Sequence, residues 1–391
     1  MNGKRIVQVV KTFDGALWAV QQVWELIQKG WEIHVISPSL EGRYAEKWRE
    51  SGAFLHQLDI EFPVSSIWKL SSSASMVRDK FNEINPNLIH SHFVSTTLML
   101  RWALQDFPVP RIFQVPGPLH LENPIFGQWE TFSSNHNDYW IASSDYIRQF
   151  YINGYGIDPR KIFLSYYGTD LGAFNQSGGG EFRKKYSIPM DALVVGNVSF
   201  IYPPKFYLAQ RVGLKGHELM IESMANLMKE NSNLYTVFIG NQWGVSQSYF
   251  QRLKRKATSL SKRFIFTGFL PQKEIVAAWK DFDLALHIPS SENCGGVIEP
   301  LLNEIPVVAS RIGGLPEIII PGETGHLAQS RTVQGVEDAV RNALSDKFES
   351  KRMAKNGRKL VERLFNIAHT ANDIDQIYKN ILKSKHPRTH Y

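Results

Sequence analysis

Residues 289–327 read PSSENCGGVIEPLLNEIPVVASRIGGLPEIIIPGETGHL. An apolar run ending at Ile288 meets a loop, Cys294-Gly295-Gly296, and the pattern predicts a helix beginning near Val297. Glycines let backbone amides approach an anion, and a helix N-terminus adds partial positive charge. Gly295, Gly296 and Val297 are therefore candidate amide donors to an anionic ligand. Glu299 falls in the first turn of that predicted helix. A carboxylate there favours the dipole and stays free to accept hydrogen bonds from a pair of sugar hydroxyls.

Other residues carry weaker chemical signals. His120 lies in QVPGPLHLE, residues 114–122, just past a predicted strand. A neutral imidazole in such a loop could hydrogen-bond a ligand or move protons. His90 and His92 flank a strand end, where histidines often only satisfy backbone groups. Asp281-Phe282-Asp283 has the spacing of a metal-binding pair but stands between a predicted helix and strand, so no metal site is expected there. Asp373-Ile374-Asp375 reads as solvated helix surface.

The elements that position these residues alternate along the chain. A strand over 5–10 is followed by a loop with Gly15. Ala16, Leu17, Val20, Val23, Leu26 and Ile27 then recur at helical spacing. Gly30 stops that helix, and a strand follows over 33–36. This strand–helix–strand unit implies a parallel sheet with right-handed crossovers. Strands are expected again over 88–90, 111–115 and 140–142. A break over 172–188, with Gly178-Gly179-Gly180, reads as a linker. The pattern restarts with strands over 193–198, 235–239, 264–267, 284–288 and 306–309, and helices over 218–228 and 272–280. Helices close the chain over 336–344, 351–364 and 367–382. The division expected is 1–185, 186–365 and a terminal helix, 366–391, returning to the first domain.

Bulk properties fit this. A chain of 391 residues exceeds what one core usually serves. Hydrophobic residues at 43% and charged residues at 21% mark a globular rather than a disordered chain. The apolar run in MNGKRIVQVV is too brief for a secretory segment. The single cysteine, Cys294, rules out an internal disulfide and suits a reducing, cytoplasmic setting. The formal charge of +7 is compatible with phosphorylated ligands or the anionic inner face of a membrane. It lacks the clustered basic and aromatic residues of a nucleic-acid footprint.

The 289–327 stretch resembles the donor site of glycosyltransferase family 4, the retaining GT-B enzymes. The likeness extends over about residues 5–365: Pro86-Asn87-Leu88-Ile89-His90-Ser91-His92, Ile141-Ala142-Ser143-Ser144, Tyr167-Gly168-Thr169-Asp170, Lys215-Gly216-His217 and Phe266-Thr267-Gly268-Phe269-Leu270 match its recurrent elements in order. The resemblance implies an α/β fold of two Rossmann-like, doubly wound domains facing across a cleft. It implies that Gly15 belongs to a phosphate-side loop and Leu270 to a nucleobase loop. Lys215 and a second cation, Arg211 or Lys205, would meet the diphosphate, and Glu299 the ribose. His120 would lie next to the reacting sugar. The family's two glutamates have seven residues between them, whereas Glu292 and Glu299 have six; either Glu292 or Ser291 fills the first position. An insertion over 202–212 precedes Lys215, and Phe200, Tyr202, Phe206 and Tyr207 could face the acceptor or a membrane.

The implied reaction moves a sugar from a nucleotide sugar, such as a UDP- or GDP-sugar, onto a glycan or lipid-linked acceptor. No metal or other cofactor is implied. The family is often described as using front-face attack with retention, and cell-surface or exopolysaccharide assembly follows by analogy. Three rivals stay open: a GT-B nucleotide-sugar epimerase, an inactive nucleotide-sugar-binding subunit of a polysaccharide complex, and a membrane scaffold.

Overall fold

Short apolar runs that are buried on both faces build two wholly parallel sheets, as expected where crossover helices cover each side. The computed structural model describes residues 4–384 except 16, 65, 175–178, 206–209 and 245. The first sheet holds β1 (Arg5–Val9), β2 (Glu32–Ser37), β3 (Phe54–Gln57), β4 (Leu88–Ser91), β5 (Arg111–Val115), β6 (Asp138–Ala142) and β7 (Ile162–Leu164). Its order is β3-β2-β1-β4-β5-β6-β7. The second holds β8 (Leu193–Val198), β9 (Leu234–Ile239), β10 (Phe264–Gly268), β11 (Leu284–His287), β12 (Val307–Ser310) and β13 (His326–Ala328), in the order β10-β9-β8-β11-β12-β13. Strand order reverses between β1 and β4, and again between β8 and β11. At such a reversal the crossover helices leave in opposite directions and open a crevice at the strand ends.

The chain divides into one unit of Met1–Asp170 with Leu364–Tyr391, and a second of Leu171–Arg363. In the first, the helix Ile367–Ser384 packs on the helix Leu17–Gln28. Ile374, Ile377, Tyr378, Ile381 and Leu382 form its buried stripe and share a core with Val20, Val23 and Leu26. The phenol of Tyr378 accepts from Gln8 Nε2 at 3.1 Å and lies 2.6 Å from His90 Nδ1 beneath that stripe. Asp375 is not the solvated residue its helix pattern suggests. It is buried and accepts from Trp31 Nε1 at 2.9 Å and Lys379 Nζ at 2.6 Å.

The division falls after Asp170 rather than at the sequence-read boundary after Lys185, because Asp281 ties the supposed linker to the second unit. Its carboxylate accepts from the backbone N–H groups of Gly180, of Phe182 at 2.9 Å and of Arg183 at 3.2 Å. These are unsatisfied donors of the helix Glu181–Lys185. Asp283 accepts from Val194 N at 2.8 Å and pairs with Arg183 at 3.1 Å. The Asp-x-Asp pair is thus committed to joining segments.

Asp281→Ala strands these buried donors and should destabilise the chain by about 3 kcal/mol. Urea unfolding followed by circular dichroism should show the earlier midpoint. An unchanged midpoint would show that Asp281 does not cap this helix.

Candidate functional site

The reversal between β8 and β11 carries a cavity of about 220 Å³. Its walls include Lys215, His287, Glu292, Gly295, Gly296 and Glu299. Phe200 and Tyr202, just past β8, close another side and pack around Trp243, the first edge-on and the second tilted, with ring centroids 5.0 Å and 6.1 Å away. Phe206 and Tyr207 lie outside the described residues.

Each wall is set by its local sequence. Lys215 precedes Gly216, which adopts φ +73° as the N-cap of the helix His217–Glu230. A Cβ at Gly216 would stand 2.0 Å from the carbonyl oxygen of Ile288, so only glycine lets this loop close on the end of β11. Lys215 Nζ thereby reaches Glu292 Oε2 in a short ion pair, with 16% and 12% of the two side chains exposed. Glu292 also meets His287 Nε2 at 3.1 Å and the N–H of Asn293 at 3.2 Å. Burial pushes the Glu292 carboxyl up, but Lys215 and His287 pull it further down, and the net is well below the ordinary range.

The following helix runs Gly295–Leu302, two residues earlier than the sequence suggests. Its N-cap, Cys294, makes no side-chain cap bond. The N–H groups of Gly295, Gly296 and Val297 belong to its first turn and have no intrahelical acceptor. Glu299 falls past that first turn, so the dipole does not explain it. Its Oε1 accepts from Gln272 Nε2 at 3.1 Å. Burial raises its pKa, and the bond from Gln272 only partly opposes this.

The remaining candidates are placed differently. Ser291 is buried and does not line the cavity; Glu292 does. Neither Lys205 nor Arg211 lines it: Lys205 is half-buried, with its N–H bound to Gln210 Oε1 at 3.1 Å, and Arg211 is exposed. Leu270 is buried after β10 and is likewise not a lining residue. Gly15 lies in the first unit after β1, where a Cβ would meet nothing within 4 Å, so packing does not demand glycine. His287 was missed by sequence reasoning; inside an apolar strand it carries no local signal.

His120 belongs to the first unit. Its Nε2 lies 3.1 Å from the hydroxyl of Tyr151, which donates to Glu130 Oε2 at 2.8 Å. Glu130 in turn accepts from Arg101 at 2.7 Å and Trp140 Nε1 at 3.0 Å. Burial lowers the His120 pKa to about 4, against the pull of Glu130. His90 and His217 are likewise held down, each to about 3, chiefly by burial.

Two doubly wound α/β units, one with a cation, a helix N-terminus and two carboxylates at its strand-order reversal, define the GT-B class of nucleotide-sugar enzymes. Residues 18–172 match the model for Glycosyltransferase Family 4, and residues 203–360 match that for Glycosyl transferases group 1. The chain belongs to glycosyltransferase family 4 and is a glycosyltransferase. It is 24% identical over 325 residues to the D-inositol 3-phosphate glycosyltransferase of Corynebacterium glutamicum, covering 78% of this chain and 74% of that one. Anabaena Alr3699/HepE, solved with UDP-glucose, superposes with a TM-score of 0.80 at 18% identity over 96% of this chain and 99% of its own. WaaG, a glycosyltransferase involved in lipopolysaccharide biosynthesis, gives 0.70 at 14% identity over 94% and 99%.

The buried histidines generate a pH dependence. Below about pH 6.5 the unfolded chain binds protons that the native His90, His120 and His217 refuse. Their contribution to stability is therefore complete above that pH and is lost as pH falls toward about 4 for His120 and about 3 for His90 and His217. Urea midpoints should drop between about pH 7 and about pH 5, and ring NMR should show His120 still neutral at the lower value. A protonated His120 at about pH 5 would contradict the buried network.

Proposed function

We propose that this chain transfers a sugar, with retention of anomeric configuration and without a metal ion, from a nucleoside diphosphate sugar to a glycan or lipid-linked acceptor. The observation that carries this is the second-unit cavity, where Lys215 and the first-turn residues Gly295 and Gly296 share one space with Glu292 and Glu299. The cation and amides suit a diphosphate, and carboxylates suit sugar hydroxyls. UDP-glucose in Anabaena Alr3699/HepE supports a uridine donor. Assembly of a cell-surface polysaccharide at the inner membrane face rests on family analogy and the basic charge. Among the described residues no helix is long and apolar enough to cross a membrane.

In this reading the bond from the anomeric carbon to the β-phosphate oxygen breaks, and its electron pair stays on the phosphate. The acceptor hydroxyl bonds to the same face of that carbon and passes its proton to the leaving phosphate. Lys215 and the helix amides stabilise the charge that develops there, which is the role a metal would otherwise fill. Glu292 orients the sugar through its hydroxyls. Glu299 takes the ribose.

Lys215→Ala should lower kcat by about a hundredfold or more while weakening ground-state donor binding far less. Near wild-type kcat with an accepted donor would remove Lys215 from the site. Arg211→Ala and Lys205→Ala in parallel should identify a second phosphate cation by a comparable loss. Transfer should survive excess EDTA, and loss of activity with rescue by Mg²⁺ or Mn²⁺ would overturn the metal-free reading. Glu292→Gln should cut turnover strongly and Ser291→Ala only mildly; the reverse ranking would return the first carboxylate role to position 291. Thermal shifts with a panel of nucleotide sugars should identify the donor base, since a tight ligand stabilises the native state.

A further inference from the structure

Glu292 sits on a loop one residue shorter than its family's pattern, so something other than loop geometry must aim it. Its two polar side-chain partners differ in kind. Lys215 carries its ammonium on a flexible four-carbon stem that faces the cavity. His287 is rigid: its side chain is 2% exposed, and its ring lies directly under Gly296. A Cβ at Gly296 would stand 2.2 Å from both Cε1 and Nε2 of that ring, so glycine is needed for the ring to occupy this place. Nδ1 of His287 is buried and makes no hydrogen bond among the described residues. An ionised carboxylate only accepts, so the single ring proton belongs on Nε2, pointed at Glu292 Oε2 3.1 Å away.

We infer that His287 is a positioning residue, a fixed donor that keeps Glu292 aimed into the cavity when an incoming diphosphate draws Lys215 away. This rests on the donor-site reading above. Without donor, the Lys215–Glu292 pair neutralises both groups. With donor, the phosphate oxygens compete for the ammonium, while His287 Nε2 and the Asn293 N–H retain the carboxylate. Burial holds the His287 pKa down despite Glu292, which keeps the ring a neutral donor rather than a second cation.

The test uses the full chain with UDP-glucose as donor and UDP as binding probe. His287→Leu should lower kcat by about tenfold or more, the scale for outer partners that orient a working group. UDP affinity should change by less than about twofold, because in this reading the diphosphate and ribose are met by Lys215, the helix amides and Glu299 rather than by Glu292. His287→Gln, whose amide can place a donor near the same point, should recover most of the loss and guards against a folding defect in the leucine variant. In a Glu292→Gln background, His287→Leu should add nothing; fully additive losses would overturn the inference. Ring ¹⁵N spectra provide a readout independent of the donor: His287 should show the Nε2–H tautomer, and Glu292→Gln should shift it. Unmoved ring signals would refute the contact in solution. If no nucleotide sugar binds or reacts, the transferase reading fails, and the ring spectra still decide this one.

Discussion

A half-buried lysine beside a half-buried carboxylate, at the point where a parallel sheet reverses its strand order, is the interaction on which the second unit's site is built. Neither charge would be stable there alone, since removing an ion from water costs several kcal/mol unless it is paired. Together Lys215 and Glu292 keep each other ionised, and the histidine beneath supplies a further donor. The geometry that permits the pair is backbone geometry. The lysine loop reaches the carboxylate loop only because Gly216 lies against the Ile288 carbonyl, and the helix Gly295–Leu302 covers His287 only because Gly296 has no side chain.

The two carboxylates on this wall are driven in opposite directions by their surroundings. Glu292 has a cation and a ring N–H, and its pKa falls despite burial. Burial raises Glu299, which is met by the Gln272 amide rather than by a cation. One residue is a fixed negative charge; the other is more easily neutralised. Carboxylates separated in this way can divide their work, one facing the part of a ligand where charge matters and the other a pair of neutral hydroxyls.

Much of this architecture was legible in the sequence because central parallel strands are buried on both faces and read as apolar runs. Residues 111–115 and 193–198 have the same bounds in both readings. The strands that escaped, β3, β7 and β13, are short, and each is a sheet edge, where no apolar run is required. Burial of polar residues was equally hard to read: Asp375 reads as a surface carboxylate, and Asp281 as half of a metal-spaced pair, until their donors, Trp31 and the Gly180, Phe182 and Arg183 amides, are seen in three dimensions. The start of the helix after Cys294 was misplaced because glycine is a poor helix former, yet Gly295 and Gly296 are recruited by the tertiary contact over His287. Lys215, Glu292 and Glu299 were found through motif spacing, while His287 belongs to no motif.

Each unit sets a histidine against a carboxylate that a cation holds, and the difference between the two arrangements is in the cation. In the first unit His120 meets Glu130 through Tyr151, and Glu130 is held by Arg101, 2% exposed and also paired with Asp138 at 3.2 Å. That guanidinium bonds Glu130 and Asp138, lies 5.4 Å from the Trp140 ring centroid, and cannot leave without taking the cation that holds buried Glu130. Tyr151 gives its one proton to the charged Glu130, the stronger acceptor, so its oxygen offers His120 only a lone pair. The first-unit chain therefore fixes a ring. In the second unit the cation is Lys215, 16% exposed on a flexible stem and open to the cavity, and its carboxylate keeps other donors when it departs. A locked cation makes a scaffold, whereas one that can be exchanged for a ligand's phosphate couples binding to the state of the site.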